Sequence, residues 1–297
     1  MERVHSLIAD ERDVRLDKYI CQKRPELSRA QVQKLIRQGY VTVNTRVTKA
    51  GFKLRPGDRV NIIIHATPSP LAPETMPLDI VYEDDDILVI NKPAGLTVHP
   101  APGHYSHTLA NAILSYLPNL PDADDQMRPG IVHRLDKGTS GLMVIAKNSV
   151  AHTNLMSQFK ARTVVKAYQV LVKGRLTPDS GLIEAPIGRD PRNRKRMAVV
   201  TVGREARTDY QVIRYIDHYT LLEVRPETGR THQIRVHLSA IGYPVVGDAT
   251  YGMKSTSLSR QFIHASRLGF RLPSTGEYME FKSELPPDLE QALRDIA

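Results

Sequence analysis

Residues 131–147 read IVHRLDKGTSGLMVIAK. The second half, GLMVIAK, is a short apolar run rich in the branched residues that favour strands. The first half places one carboxylate, Asp136, two residues after Arg134 and directly before Lys137. A Gly138-Thr139-Ser140-Gly141 turn then launches the strand. An acid set between two cations, in a chain of net charge +9, needs a reason that the rest of the sequence must supply.

Outward from this stretch, strands alternate with short helices. LDIVYEDDDILVINKP (78–93) has the pattern of a hairpin with Glu83-Asp84-Asp85-Asp86 at its turn, and VVKAYQVLVKG (164–174) and HYTLLEVRP (218–226) read as further strands. HTLANAILSYL (107–117) and THQIRVHLSAIG (231–242) have helical spacing; in the second, Ile234, Leu238 and Ile241 share a side and Gly242 closes it. Strands with helices interspersed predict an α+β fold on a mixed or antiparallel sheet with flanking helices.

The chain of 297 residues is long enough for one large domain and a small one. Residues 66–77, ATPSPLAPETMP, carry prolines at 68, 70, 73 and 77 and predict an extended linker between domains at 1–65 and 78–297. Residues 1–65 hold fourteen Lys/Arg against seven Asp/Glu, the remainder twenty-seven against twenty-five. The basic excess is thus concentrated in a small N-terminal module, which points to a polyanionic partner.

Within that module a helix is expected over 14–23. A second opens at Ser28, with Ser28 and Gln31 placed as a capping box, an apolar stripe of Val32, Leu35 and Ile36, and Gly39 as its end. A strand at YVTVN, a turn at Thr45-Arg46, and strands before and after Pro56-Gly57-Asp58 complete the reading. Arg29, Lys34 and Arg37 lie where a basic helix face can follow phosphates. The single cysteine, Cys21, allows no internal disulfide and reads as core. No apolar run approaches a membrane span, and the N-terminus lacks the apolar core of a signal peptide, so a cytoplasmic protein is expected.

Residues 13–60, with RLDKYI, LSRAQVQKLIRQGYVTVN and KLRPGDRV, resemble the small S-four RNA-binding domain named after ribosomal small-subunit protein four. Four later segments carry a second resemblance: NKPAGLTVHP (91–100), HRLDKGTSGL (133–142), KAY (166–168) and TGRTHQIRVHL (228–238). Together they resemble the RluA/RluD-type family of large-subunit ribosomal RNA pseudouridine synthases over nearly all of 78–297. Two departures stand out, Met253 where a second glycine is usual and Ile263 where leucine is expected; both are expected to lie in a loop that touches RNA.

The resemblance implies isomerisation of uridine to pseudouridine in RNA, with large-subunit ribosomal RNA as substrate. Transfer RNA, or a role as a non-catalytic RNA-binding assembly factor, are the alternatives. Breaking the N1–C1′ bond and rejoining through C5 needs no redox step, so no cofactor or metal is expected. Asp136 could act as nucleophile at the sugar or the base, or assist departure of the base. The resemblance nominates Arg235 as the cation that keeps Asp136 ionised against desolvation, and Tyr168 as the ring that stacks on uracil. It also suggests that Arg134 fills the space the flipped base vacates. Lys137 could hold a phosphate, and the 138–141 glycines would let RNA backbone approach. His133 is expected to orient the loop.

Residues 189–196, RDPRNRKR, hold five cations. Arg192, Arg194 and Arg196 read either as a mobile loop closing on RNA or as an exposed hairpin tip. His99, His104 and His107 lack metal-ligand spacing. RNA is the expected partner, no membrane is implicated, and a monomer is expected.

Overall fold

The computed structural model describes residues 2–25, 27, 29–65, 71–100, 106–118, 120, 129–252 and 258–296. They form two compact units, one up to residue 65 and one from residue 71.

The first unit contains β1 (Glu2–Ile8), α1 (Leu16–Lys23), α2 (Arg29–Arg37), β2 (Val41–Val43), β3 (Arg46–Val47) and β4 (Arg59–His65). Its sheet has the order β1-β4-β2-β3, antiparallel throughout. Leu16, Tyr19 and Ile20 of α1 and Val32 and Ile36 of α2 bury themselves against Val41, Val43, Val60 and Ile62.

Several local expectations shift. The first helix begins at Leu16 because the backbone at Asp13 and Val14 is engaged by Leu54 instead. The β2–β3 turn falls on Asn44-Thr45, one residue early, with both at positive φ as a tight hairpin turn requires. No strand precedes Pro56; Lys53 makes only an isolated bridge to Arg15. The β1 strand, paired along β4, was not foreseen. Ser28, the expected cap, lies outside the described residues.

One buried charge organises this unit. The Asp17 carboxylate, fully shielded, accepts hydrogen bonds from Arg15 (3.0 and 3.1 Å), Arg29 (3.2 and 3.1 Å) and Gln33 (2.9 Å). The Arg15 bond, together with those from Gln33 and Arg29, holds its pKa far below the usual carboxylate range despite burial. A depressed folded-state pKa gives stability that is present above the unfolded value and lost as pH falls toward the folded one. Asp17→Ala is expected to cost the N-terminal unit about 1–3 kcal/mol, read as faster amide exchange in residues 2–65 with exchange elsewhere unchanged.

The second unit runs β5 (Ile80–Glu83), β6 (Ile87–Lys92), α3 (Leu109–Tyr116), β7 (Ser140–Ala146), α4 (Ser149–Ala161), β8 (Val165–Lys173), β9 (Ser180–Glu184), β10 (Ile187–Arg189), β11 (Met197–Val199), β12 (Arg207–Ile216), β13 (Tyr219–Pro226), α5 (Gln233–Ala240), β14 (Ile263–Arg271), β15 (Tyr278–Lys282) and α6 (Pro287–Asp295). Nine strands form one sheet in the order β5-β6-β7-β14-β8-β13-β12-β9, with β15 on β14. The β7–β14 pair is parallel and the other pairs are antiparallel, so the sheet is mixed and the unit α+β.

The continuous apolar run at β7 follows from burial on both faces. Leu142, Val144 and Ala146 pack toward Ala151 and Leu155 of α4, while Met143 and Ile145 pack toward Leu109 and Ile113 of α3. A third cluster places Leu238 of α5 and Leu289 of α6 against Val170, Leu222 and Val224.

The second half of the expected linker is not a free spacer. Leu71 is buried against α3, buried Asn111 donates to the Ala72 carbonyl (2.7 Å), and Glu74 N–H bonds the Asn111 carbonyl (3.1 Å). An extended proline-rich chain keeps its carbonyls, and these satisfy a buried amide. Residues 66–70 lie outside the described set.

The glycines of the Asp136 turn are required by packing. A Cβ on Gly141, at φ +116°, would stand 2.3 Å from the Ala265 carbonyl oxygen, and one on Gly138 would stand 2.4 Å from the Gln261 side chain. Only glycine lets β7 pair in parallel with β14 at that register. Gly141→Ala is expected to destabilise the second unit by about 2–4 kcal/mol, measured by urea unfolding. Gly229→Ala, whose Cβ meets open space, should leave the midpoint unchanged.

Candidate active site

Asp136 sits in the turn that feeds β7, and three backbone contacts hold that turn. Thr139 N–H bonds the Asp136 carbonyl (3.0 Å), Gly95 N–H bonds the Lys137 carbonyl (2.7 Å), and Arg260 Nη1 bonds the Gly138 carbonyl (3.1 Å). Beneath it lies Lys92, fully buried, its ammonium donating to the carbonyls of Pro93 (2.8 Å) and Leu96 (3.0 Å). Burial and the nearby Arg260 push Lys92 down to about 7, against the pull of Asp136.

Arg235 arrives from α5, whose first and last turns are each fixed by a polar side chain. Buried Gln233 accepts from Thr228 Oγ1 (2.7 Å) and Arg230 N–H (2.9 Å), and donates to the Arg207 carbonyl and Thr208 Oγ1 (both 2.9 Å). Since Thr208 Oγ1 accepts from Gln233, its own proton goes to His237 Nδ1 (2.9 Å), which leaves His237 Nε2–H for the Ala185 carbonyl (2.9 Å). The THQIRVH segment therefore anchors the helix with two residues and aims a third.

That third residue, Arg235, joins two carboxylates. Its Nη1 donates to Asp136 Oδ2 at 3.0 Å; its Nε and Nη2 donate to Asp248 Oδ2 and Oδ1 at 2.6 and 2.9 Å. Burial alone would lower the Arg235 pKa, but Asp248 and Asp136 hold it above its ordinary value. Burial raises that of Asp248, yet Arg235 and the N–H groups of Thr250 and Tyr251 bring it below the usual range. Asp136 is one-fifth exposed, facing a cavity of about 560 Å³.

Tyr168, on β8, lines the same cavity, as do Arg134, His133 and Ile263. Burial, with the Asp136 charge nearby, raises the Tyr168 pKa, so the phenol stays protonated. His133 Nε2 accepts the Val144 N–H (3.0 Å) and its ring stacks on Phe159 at 4.8 Å. Burial pushes it down to about 3, so it is a neutral acceptor that ties the loop to β7. Ile263 is a correction: it is a buried residue of β14 paired with Val170, not part of a loop. Met253 and His104 lie outside the described residues.

Arg134 and Lys137 are exposed, as are Lys34 and Arg37. Arg29 is held by Asp17 with its outer half exposed. Residues 189–196 form the tip between β10 and β11. Asp190 orders it by accepting from the N–H of Arg192 (2.8 Å) and Arg196 Nε (2.6 Å), which leaves Arg192 and Arg194 outward.

Sequence reasoning missed Asp248, Lys92 and a basic cavity wall of Lys160, Arg162, Lys166 and Arg230. Burial and then Arg162 push Lys166 down to about 8. The signal for Asp248 was present only indirectly: an arginine on a buried helix face needs more than one carboxylate to satisfy its fork.

A cation-walled cavity with a braced carboxylate at the end of an interior strand of a mixed sheet defines an enzyme built for a polyanionic substrate. The profile of the RNA pseudouridylate synthase family matches residues 86–240, and that of the S4 domain matches residues 14–60. The chain belongs to the RNA pseudouridine synthases. It is 51% identical to an uncharacterized RNA pseudouridine synthase of Chloroflexus aurantiacus, over 95% of this chain and 90% of that protein. It is 42% identical to ribosomal large subunit pseudouridine synthase D of Nitrosomonas europaea, over 95% of this chain and 84% of that one. Among solved structures it is similar to human RNA pseudouridylate synthase domain containing 1, with a TM-score of 0.58 and 28% identity, covering 78% of this chain and 98% of that one. Among the described residues no helix is long and apolar enough to cross a membrane.

Asp248→Ala would leave the buried Arg235 fork half empty. It is expected to cost about 3–5 kcal/mol in urea unfolding and to reduce turnover. Asp288→Ala, which removes the half-exposed partner of Arg260, should cost less than Asp248→Ala.

Proposed function

We propose that this enzyme isomerises uridines of large-subunit ribosomal RNA with Asp136 as the reactive carboxylate and without a cofactor. The observation that carries the reading is the Asp136–Arg235–Asp248 array: a carboxylate kept at the cavity by an arginine that is itself immobilised. The relative named for the ribosomal large subunit supports the choice of RNA.

In the reaction the N1–C1′ bond breaks, the uracil turns, and C5 bonds to C1′. C5 gives up a proton and N1 ends protonated, so no oxidant or co-reactant is consumed. The target base must first leave its stack, at a cost of roughly a few kcal/mol. Arg134, exposed beside the turn, takes the vacated space, and Lys137 meets a phosphate. Tyr168 stacks on the base, a contact worth about 1–3 kcal/mol. Its phenol, kept protonated by burial, faces the same cavity as Asp136. Asp136 then attacks the sugar or the base, or assists departure of the uracil; each role uses the same ionised carboxylate.

RNA affinity comes from cations at separate places. Lys160, Arg162, Lys166 and Arg230 wall the cavity, Arg192, Arg194 and Arg196 form the hairpin tip, and Arg29, Lys34 and Arg37 belong to the N-terminal module. Phosphate contacts of this kind give affinity and register, while choice of uridine lies in loops. The division into a module at 1–65, a junction at 66–77 and a catalytic domain at 78–297 fits this reading.

Tritium release from transcripts labelled at uracil C5 tests the proposal. Wild-type protein is expected to release label from large-subunit ribosomal RNA and not from transfer RNA, and Asp136→Asn to release none while binding RNA normally. Release from transfer RNA alone would overturn the substrate assignment, and an active Asp136→Asn would overturn the mechanism. Deleting residues 1–65 should weaken binding and flatten its salt dependence. An unchanged salt slope would rule out the module as an RNA anchor.

A further inference from the structure

Helix α5 begins in an unusual way. His232, the residue before it, is in the left-handed region at φ +57°, a conformation uncommon for residues that carry a side chain, though histidine is among those that adopt it most often. This backbone turns the imidazole into the cavity, with Nε2 3.9 Å from Asp136 Oδ2. The other ring nitrogen, Nδ1, lies 2.9 Å from the Tyr251 hydroxyl.

Hydrogen-bond accounting assigns the tautomer. The Tyr251 hydroxyl accepts the Met197 N–H at 2.8 Å. Burial raises the Tyr251 pKa, so the phenol keeps its single proton, and that proton has His232 Nδ1 as its acceptor. Burial also keeps the imidazole neutral, against the pull of Asp136 and Asp248 and with the push of Arg235 and Arg134, the charged groups that surround it. A neutral ring that accepts at Nδ1 carries its hydrogen on Nε2, the nitrogen that faces Asp136.

Two donors thus address one oxygen. Arg235 Nη1 and His232 Nε2 both approach Asp136 Oδ2, while Oδ1 accepts no hydrogen bond among the described residues. Oδ1 is left for the uridine. Tyr251 connects this arrangement to the RNA-binding tip. Met197 is the first residue of β11 and directly follows Arg196, and its side chain and that of Tyr251 pack against Ile187, Ala206 and Val236. The Tyr251 ring meets the His232 ring edge-on at 5.6 Å and carries the Arg235 guanidinium at 5.0 Å.

We propose that His232 is a positioning residue for Asp136, its Nε2–H aimed at Oδ2 by the Tyr251 hydroxyl, and that Tyr251 couples RNA on the basic hairpin to the orientation of the carboxylate. This rests on the reading of Asp136 as the reactive group. RNA phosphates that draw in Arg192 and Arg194 pull on β11, and the Met197–Tyr251–His232 chain transmits the shift to the site.

The test combines spectroscopy on the wild type with three variants. Long-range nitrogen-15 NMR of histidine-labelled protein at pH 7, assigned with His232→Asn, is expected to show the His232 proton on Nε2. A proton on Nδ1 would overturn the proposal. His232→Asn relieves the backbone and keeps an acceptor for Tyr251, but has no group that reaches Asp136. It is expected to lower the single-turnover rate several-fold, because the imidazole N–H no longer faces the carboxylate, with RNA affinity unchanged. His232→Gln, which restores an N–H near the Nε2 position, should recover much of that rate. Equal loss in both variants would mean a merely structural role and overturn the proposal. Tyr251→Phe keeps the ring and removes the hydroxyl. It should lower the rate, mix the two tautomers and raise the imidazole pKa, seen as a new low-pH limb in the rate profile. A Tyr251→Phe enzyme that loses only RNA affinity would overturn the coupling. An active Asp136→Asn enzyme would instead remove the reading beneath it, a result separate from all of these.

Discussion

The site depends on one guanidinium shared between two carboxylates. A buried arginine cannot shed its charge, so it must be paired on every side that water does not reach. Asp248 takes the two nitrogens of the fork in bidentate geometry, and Nη1 remains for Asp136. The division of labour follows from exposure: Asp248 is shielded and anchors, while Asp136 is one-fifth exposed and faces the cavity. Were Arg235 held by Asp136 alone, any motion of the substrate against the carboxylate would move the arginine too. With Asp248 in place the carboxylate has a fixed reference.

That array is positioned by two unrelated pieces of packing. On one side, the parallel β7–β14 pair sets the height of the Asp136 turn, and its close approach tolerates only glycine at 141. On the other, Gln233 Nε2 and His237 Nδ1 tie α5 to Arg207 and Thr208 at the start of β12, while Gln233 Oε1 and His237 Nε2 bond Thr228, Arg230 and Ala185. Neither residue needs to touch substrate to matter. Preorganisation of this kind fixes the Asp136–Arg235 pair before any substrate arrives.

The N-terminal unit repeats the device in a simpler form. Asp17 is a buried acid in a basic module, and it fixes Arg15 and Arg29 at the surface. In both units a shielded carboxylate gives up its own reactivity to hold a cation in place. The acids of this basic protein are therefore as informative as its cations.

Much was legible in the linear pattern. The apolar run at β7, the helix at 233–240 and the mixed sheet could be anticipated, because local periodicity is a property of the chain itself; the grouping of Asp136, Arg235 and Tyr168 was implied by the family resemblance, and all three line one cavity. The purpose of the glycines at 138 and 141, the strand placement of Ile263, the packing of residues 71–77 and the assignment of Asp248 could not be anticipated. Each depends on which atoms meet across long sequence separations, as when Gly141 meets Ala265 or Asn111 meets Ala72. The sequence alone determined where the strands, the helices and the motif residues fall along the chain. Only the tertiary structure decided how they are held, because a hydrogen-bond partner or a steric limit exists only once the distant segment has arrived.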